Sequence, residues 1–225
     1  MNHSRSWSPK QRAAAEQRLE QGLSALRQSL NPPAAVALLD YLAEMARWNK
    51  TYNLTSITDP LDMVDRHAID SLAIRPFIKA AEVLDAGTGA GLPGVPLAIA
   101  EPGRHMTLVD SNGKKIRFLR HIKRSIGLEN IEPLQARLEA IEPADLLESG
   151  HGDIVARALA PLPRLVEWLS PWLQSGWRLL AMKARFEEAE RIGVPDAYNV
   201  RVEPLHWSGQ RAERCLVIVT LGDPD

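Results

Sequence analysis

The sequence predicts an α/β fold, a mostly parallel sheet with helical crossovers that closes on an antiparallel hairpin and follows a helical extension. Three observations carry this. From Glu82 onward, short β-rich runs alternate with helical stretches. Three helical stretches come before any strand. The last two β-rich runs, Val200 to Trp207 and Cys215 to Leu221, are separated only by Ser208 to Arg214, too few residues for a helical crossover.

Ser8-Pro9 supplies an N-cap and a proline at the first helical position, and Leu19, Leu23, Leu26 and Leu30 recur at three- or four-residue spacing. An amphipathic helix therefore runs to Asn31-Pro32-Pro33. Val36, Leu39, Leu42, Met45 and Ala46 mark a second helix that ends near Trp48-Asn49. Asp59-Pro60 opens a third, which carries Met63, Val64, His67, Leu72 and Ile74 to about Phe77. The strands follow at Val83 to Asp85, His105 to Asp110, Ile131 to Gln135, Ile154 to Ala158 and Trp177 to Met182, and then the hairpin. Five crossover strands ending in a hairpin match the seven-stranded sheet of Rossmann-like methyltransferases better than the all-parallel six-stranded dinucleotide fold. Residues 1–80 read as the N-terminal helical extension and 81–225 as the Rossmann-like domain.

At 225 residues and 45% apolar, the chain suffices for one well-buried α/β domain with an appendage. No stretch approaches the ~20 apolar residues of a membrane span, and the first thirty residues lack a secretory apolar core. A soluble, cytoplasmic protein is expected. The single cysteine, Cys215, lies within an apolar run, which excludes a disulfide framework and a thiolate metal site. A formal net charge of -1 excludes a bulk polycation, so any nucleic-acid contact needs a local patch.

The densest motif runs from Val83 to Gly94, Val-Leu-Asp-Ala-Gly-Thr-Gly-Ala-Gly-Leu-Pro-Gly, an apolar strand entering a glycine-rich turn and then a helix. Gly87, Gly89 and Gly91 permit positive φ and close approach of a ligand. Pro93 and Pro96 are tolerable only in a first helical turn, which puts the helix start just after the loop. Gly89, Gly91 and Gly94 also spell the dinucleotide pattern, with Asp110 at a suitable distance for a ribose. Asp85 and the helices before the first strand favour S-adenosylmethionine: a carboxylate there repels a pyrophosphate and attracts a cationic amino-acid end.

Asp110 closes the second strand, where doubly wound folds place a ribose-binding carboxylate; the other reading is an N-cap for the next helix. Between Lys114 and Arg124 stand six basic residues and no acidic one: Lys114, Lys115, Arg117, Arg120, Lys123 and Arg124. Their helical spacing leaves Ile116, Leu119, Ile122 and Ile126 for the sheet, and a basic stripe suits a phosphate backbone, although a solvated face would look the same. Arg157 ends the fourth strand on the ligand edge, with a salt bridge to a neighbouring carboxylate as its structural alternative. Lys183 and Arg185 occupy the matching end of the fifth. His67 and Asp70, three apart, either pair with each other or reach the ligand.

In Trp48-Asn49-Lys50-Thr51-Tyr52-Asn53-Leu54-Thr55, Arg66-His67 with Asp70-Ser71, Gly87 through Leu97, Leu108 through Ser111, and Arg157-Ala158, the chain resembles the ribosomal RNA small subunit methyltransferase G family, also called glucose-inhibited division protein B. The resemblance implies a cytoplasmic enzyme that methylates N7 of one guanine in 16S ribosomal RNA, free or in a small-subunit assembly particle, with S-adenosylmethionine as donor and no metal. It implies donor contacts at Gly87, Leu92, Leu138, Glu139 and Arg157, beside Asp85, Gly89, Gly91 and Asp110 from the residues themselves. His67, Lys114, Lys115, Arg117, Arg120, Arg124, Lys183 and Arg185 are the candidate RNA contacts. Guanine N7 carries a lone pair and no proton, so no catalytic base is expected. Asn112 and Ala184 depart from the family pattern beside the loops that would face RNA. The rival readings are a nicotinamide-dependent oxidoreductase and a non-catalytic RNA-binding assembly factor.

Overall fold

The computed structural model describes residues 7–143, 151–208, 210 and 212–222. Helix α1 (Pro9–Ala25) begins with a reciprocal capping box: Gln11 N-H donates to Ser8 Oγ, and Ser8 N-H donates to Gln11 Oε1. It ends a turn before the expected stop. Arg27 takes φ +54, and the Gln28 and Arg27 amides reach back to the carbonyls of Leu23 and Ser24, a Schellman turn. Leu26 and Leu30 still pack on the core from beyond the helix. Helix α2 (Pro32–Tyr52) starts where Asn31 accepts the Ala34 amide and runs past the expected Asn49, to Asn53 at φ +50.

The third helical stretch is not uniform. It opens as α3 (Pro60–Met63), widens into a π-helix over Val64–Ile69, returns as α4 (Asp70–Leu72), and ends in a 3-10 turn at Arg75–Phe77. Apolar spacing locates such a segment but is blind to the extra residue in a π turn, and π turns recur at functional sites.

The sheet contains β1 (Glu82–Ala86), β2 (His105–Asp110), β3 (Ile131–Gln135), β4 (Asp153–Arg157), β5 (Arg178–Lys183), β6 (Tyr198–Leu205) and β7 (Arg214–Leu221), ordered β3-β2-β1-β4-β5-β7-β6. The first five are parallel; β7 runs antiparallel to β5 and to β6, as the short hairpin connection requires. Between them lie α5 (Gly94–Ala100), α6 (Gly113–Ile122), α7 (Leu162–Gln174) and α8 (Glu188–Ile192).

Two apolar clusters cover the sheet. One joins Leu19, Leu38, Tyr41 and Met45 of the first helices to Val95, Leu119 and Leu216; the other packs Leu165, Leu169 and Trp172 of α7 on Leu84, Ile154 and Leu179. At the amino edge, buried Asp153 accepts from the Lys79 and Ala80 amides and from Arg178, which fastens the chain entering β1 to β4 and β5. Among the described residues, no helix is long and apolar enough to cross a membrane.

Candidate functional site

The strand order reverses beside β1, whose neighbours are β2 and β4, so a crevice opens outside the carboxyl ends of these strands. The glycine loop leaves β1 into this crevice with φ +67 at Gly87, +63 at Gly89 and +101 at Gly91. The three glycines are not equivalent. A Cβ on Gly87 would collide with Leu159, and one on Gly91 with Val95 and Leu119, so both serve internal packing. At Gly89 a Cβ would meet nothing closer than Lys115 Nζ at 3.9 Å. Gly89 alone of the three presents bare backbone to open space.

Asp85 was expected to meet a cationic ligand directly. It is 0% exposed, and its Oδ2 accepts from Thr88 Oγ1 at 2.6 Å and from the Gly94 amide at 2.8 Å. This corrects the reading: Asp85 ties the two ends of the loop together from below. Desolvation lifts its carboxyl to about 7 against those two hydrogen bonds.

Asp110 ends β2 at the crevice. Its Oδ2 accepts the Gly89 amide at 3.0 Å and Lys115 Nζ at 3.2 Å, and its Oδ1 accepts the Asn112 amide at 2.8 Å. It does not cap α6. Asn112 does, by accepting the Lys114 amide, which gives the departure at that position a structural use. The 3-10 turn Leu138–Ala140 follows β3 on the same edge, with Leu138 buried in the core and Glu139 exposed.

One strand further along lies a cleft of about 800 Å³, lined by Arg66, Asp70, Arg157, Leu159, Lys183 and Trp207 among others. Arg157 Nη2 donates to the Arg66 carbonyl at 2.8 Å, while Nη1 is buried with no partner among the described residues. Among the described residues no carboxylate bridges it; the nearby Asp70 pairs instead with Arg214 at 3.1 Å. Burial pulls the Arg157 guanidinium below its ordinary value, yet an arginine stays charged. It is thus a cation with a donor left over at the cleft.

His67 does not meet the expectation of an RNA contact. It is 3% exposed, its Nε2 lies 3.0 Å from Thr55 Oγ1, and burial beside cationic Arg157 lowers its pKa to about 4. Its partner is thus Thr55, while Asp70 pairs with Arg214. Lys183 is fastened to Glu190 at 2.6 Å in the cleft wall, while Arg185 is exposed. On α6 and the π turn Lys123–Gly127 that continues it, Lys114, Arg117, Arg120 and Arg124 are exposed and, among the described residues, have no ion-pair partner, whereas Lys123 pairs with Glu132 and Lys115 turns inward to Asp110.

Arg66, Arg214 and Trp207 line the cleft, and Tyr41 supports the loop; sequence reasoning passed over all four as site residues. Arg66 had a signal in its motif beside His67. Tyr41 had none, since an aromatic on a buried helix face looks like ordinary core.

The sheet order, the antiparallel last strand, the glycine loop and the carboxylate at the end of β2 define the class: a Rossmann-like methyltransferase. Solved structures of similar fold include a SAM-dependent methyltransferase from Aquifex aeolicus (TM-score 0.52, 16% identity, 71% of this chain and 93% of that one). Another is the O-methyltransferase TomG from Streptomyces achromogenes in complex with SAM (TM-score 0.55, 14% identity, 81% and 90%). The family model for rRNA small subunit methyltransferase G matches residues 35–216. Relatives of that name are 47% identical over 204 residues in Stenotrophomonas maltophilia (strain R551-3), spanning 90% of this chain and 93% of the relative. In Legionella pneumophila (strain Lens) the identity is 44% over 182 residues, spanning 81% and 85%. The chain belongs to the rRNA small subunit methyltransferase G family, and the oxidoreductase reading falls away.

Proposed function

We propose that the chain transfers a methyl group from S-adenosylmethionine to N7 of one guanine in 16S ribosomal RNA, in the cytoplasm, on the free RNA or on a small-subunit assembly particle. The observation that carries this is the juxtaposition of two features on one sheet edge: the open loop face at Gly89 beside Asp110, and the cation-lined cleft at Arg157 one strand away.

The residues present fit the donor. Bare backbone at Gly89 leaves room, Asp110 supplies acceptors for ribose hydroxyls, and the unpartnered Nη1 of Arg157 suits a carboxylate. When bound, the donor supplies an electrophilic methyl group on a sulfonium. The protein's own part is positioning. Guanine N7 brings its lone pair and carries no proton, so no side chain has to remove one, and the rate gain comes from holding the acceptor in line. His67, neutral at physiological pH and sealed from the cleft, supports the wall and takes no proton. N7 lies on the edge that A-form RNA hides, so the guanine enters the cleft unpaired.

The test is methyl transfer from labelled S-adenosylmethionine to 16S RNA taken from a strain lacking the protein, followed by mapping of 7-methylguanine by chemical cleavage and mass spectrometry. One newly methylated guanine is expected. RNA binding without methyl incorporation would instead support the assembly-factor reading, and methylation at another atom would refute N7.

A further inference from the structure

A carboxylate has about four in-plane acceptor positions. At Asp110 two are held by backbone amides, Gly89 on Oδ2 at 3.0 Å and Asn112 on Oδ1 at 2.8 Å. A third accepts the Lys115 ammonium at 3.2 Å. One position remains, and a ribose brings two hydroxyls. The amides cannot withdraw, because one belongs to the glycine loop and the other to the turn that starts α6. The ammonium can: its side chain is one third exposed, on a four-carbon stem. It also stands over the open face of the loop, 3.9 Å from where a Cβ on Gly89 would lie.

We propose that Lys115 couples the two substrates: a ribose docking on Asp110 displaces the ammonium into solvent at the first turn of α6, on the rim of the crevice, where it adds one positive charge to the surface that meets RNA. This rests on the methyl-donor reading above. The destination adjoins Lys114, which is exposed and, among the described residues, without an ion-pair partner, whereas Arg117 and Arg120 stand about 140 to 200° further round the helix. Among the described residues no other carboxylate pairs with Lys115, and an RNA phosphate becomes its new counterion. Coupling of this kind is reciprocal: RNA that draws Lys115 outward frees Asp110 and tightens donor binding by the same factor. Lys115 is then a positioning residue rather than a constant member of the RNA surface.

The test measures binding of transcribed 16S RNA against salt, with and without saturating S-adenosylhomocysteine, the unreactive product, for wild type, Lys115→Met and Lys115→Arg. In wild type the product should steepen the log-log salt slope by about 0.7 to 0.9, one phosphate contact. Lys115→Met should lose that increment, and Lys115→Arg should keep it. Without RNA, Lys115→Met should bind the product up to about fivefold more tightly, because a weak ion pair no longer competes. A wild-type slope indifferent to the product overturns the coupling and leaves the donor reading intact. Tenfold weaker product binding by Lys115→Met also overturns it, since Lys115 would then hold the donor directly. If wild type binds no product at all, the donor reading falls first and this inference with it.

Discussion

The hydroxyl of Tyr41, on α2, donates to the carbonyl of Ala90 at 2.8 Å, so a side chain from the helices before the sheet holds the glycine loop in place. Tyr41 is fully buried, stacks on Phe118, and lies 3.2 Å from where a Cβ on Gly91 would sit. Tyr41→Phe removes the donor and leaves the buried carbonyl without it. Stability should fall by about 1 to 3 kcal/mol in urea unfolding, with weaker donor binding in calorimetry. An unchanged affinity would mean that the loop keeps its shape without this contact.

The carboxyl of Asp85 gives stability a pH dependence of unusual sign. The unfolded chain releases this proton near 3.8 and the folded chain near 7, so the folded state holds more protons between those values. The contribution is full below about pH 4, declines as pH rises and is gone above about pH 7, with an upper bound of about 4 kcal/mol. Asp85→Asn should flatten the profile between pH 4 and 7 in urea titrations. A variant profile parallel to wild type would locate the titrating group elsewhere.

The glycines of the loop should separate by phenotype. Gly89→Val places its side chain in open space at φ +63, so it should cost only about 1 to 2 kcal/mol of stability while abolishing donor binding. Gly91→Ala drives its Cβ to 2.6 Å from Val95 Cγ2 and 2.8 Å from Leu119 Cδ2, so its first effect should be a lower melting temperature. Paired melting and calorimetry on the two variants decide it; equal loss of stability in both would remove the distinction.

The outer face of α6 should carry RNA affinity. Reversing Arg117 and Arg120 to glutamate should raise the Michaelis constant for RNA, leave donor affinity as it is, and flatten the salt slope by about 0.7 to 0.9 for each lost contact. If slope and Michaelis constant both stand, the face is merely solvated, and Arg185 becomes the next residue to reverse.

Much of this protein was legible in its sequence because the signals are local. Ser8-Pro9 and Asn31-Pro32 mark helix starts through their own hydrogen bonds and fixed φ, and β-rich runs alternate with helices in the order in which the sheet is wound. The glycine spacing located the loop, and the unbalanced cations located the outer face of α6. Tertiary structure decided what each residue does there, because burial and partners come from distant segments. Asp85 became a loop fastener once α5 laid the Gly94 amide on it, and His67 left the surface when a π turn and Thr55 enclosed it. Lys115 and Lys114 are adjacent in sequence and both basic, yet one faces Asp110 and the other solvent, since successive positions on a helix point about 100° apart. Residue type and period are written in the chain, and so is the local pairing of Lys115 with Asp110; that Asp70 meets Arg214, far along the chain, is settled only when the sheet and the helices before it are brought together.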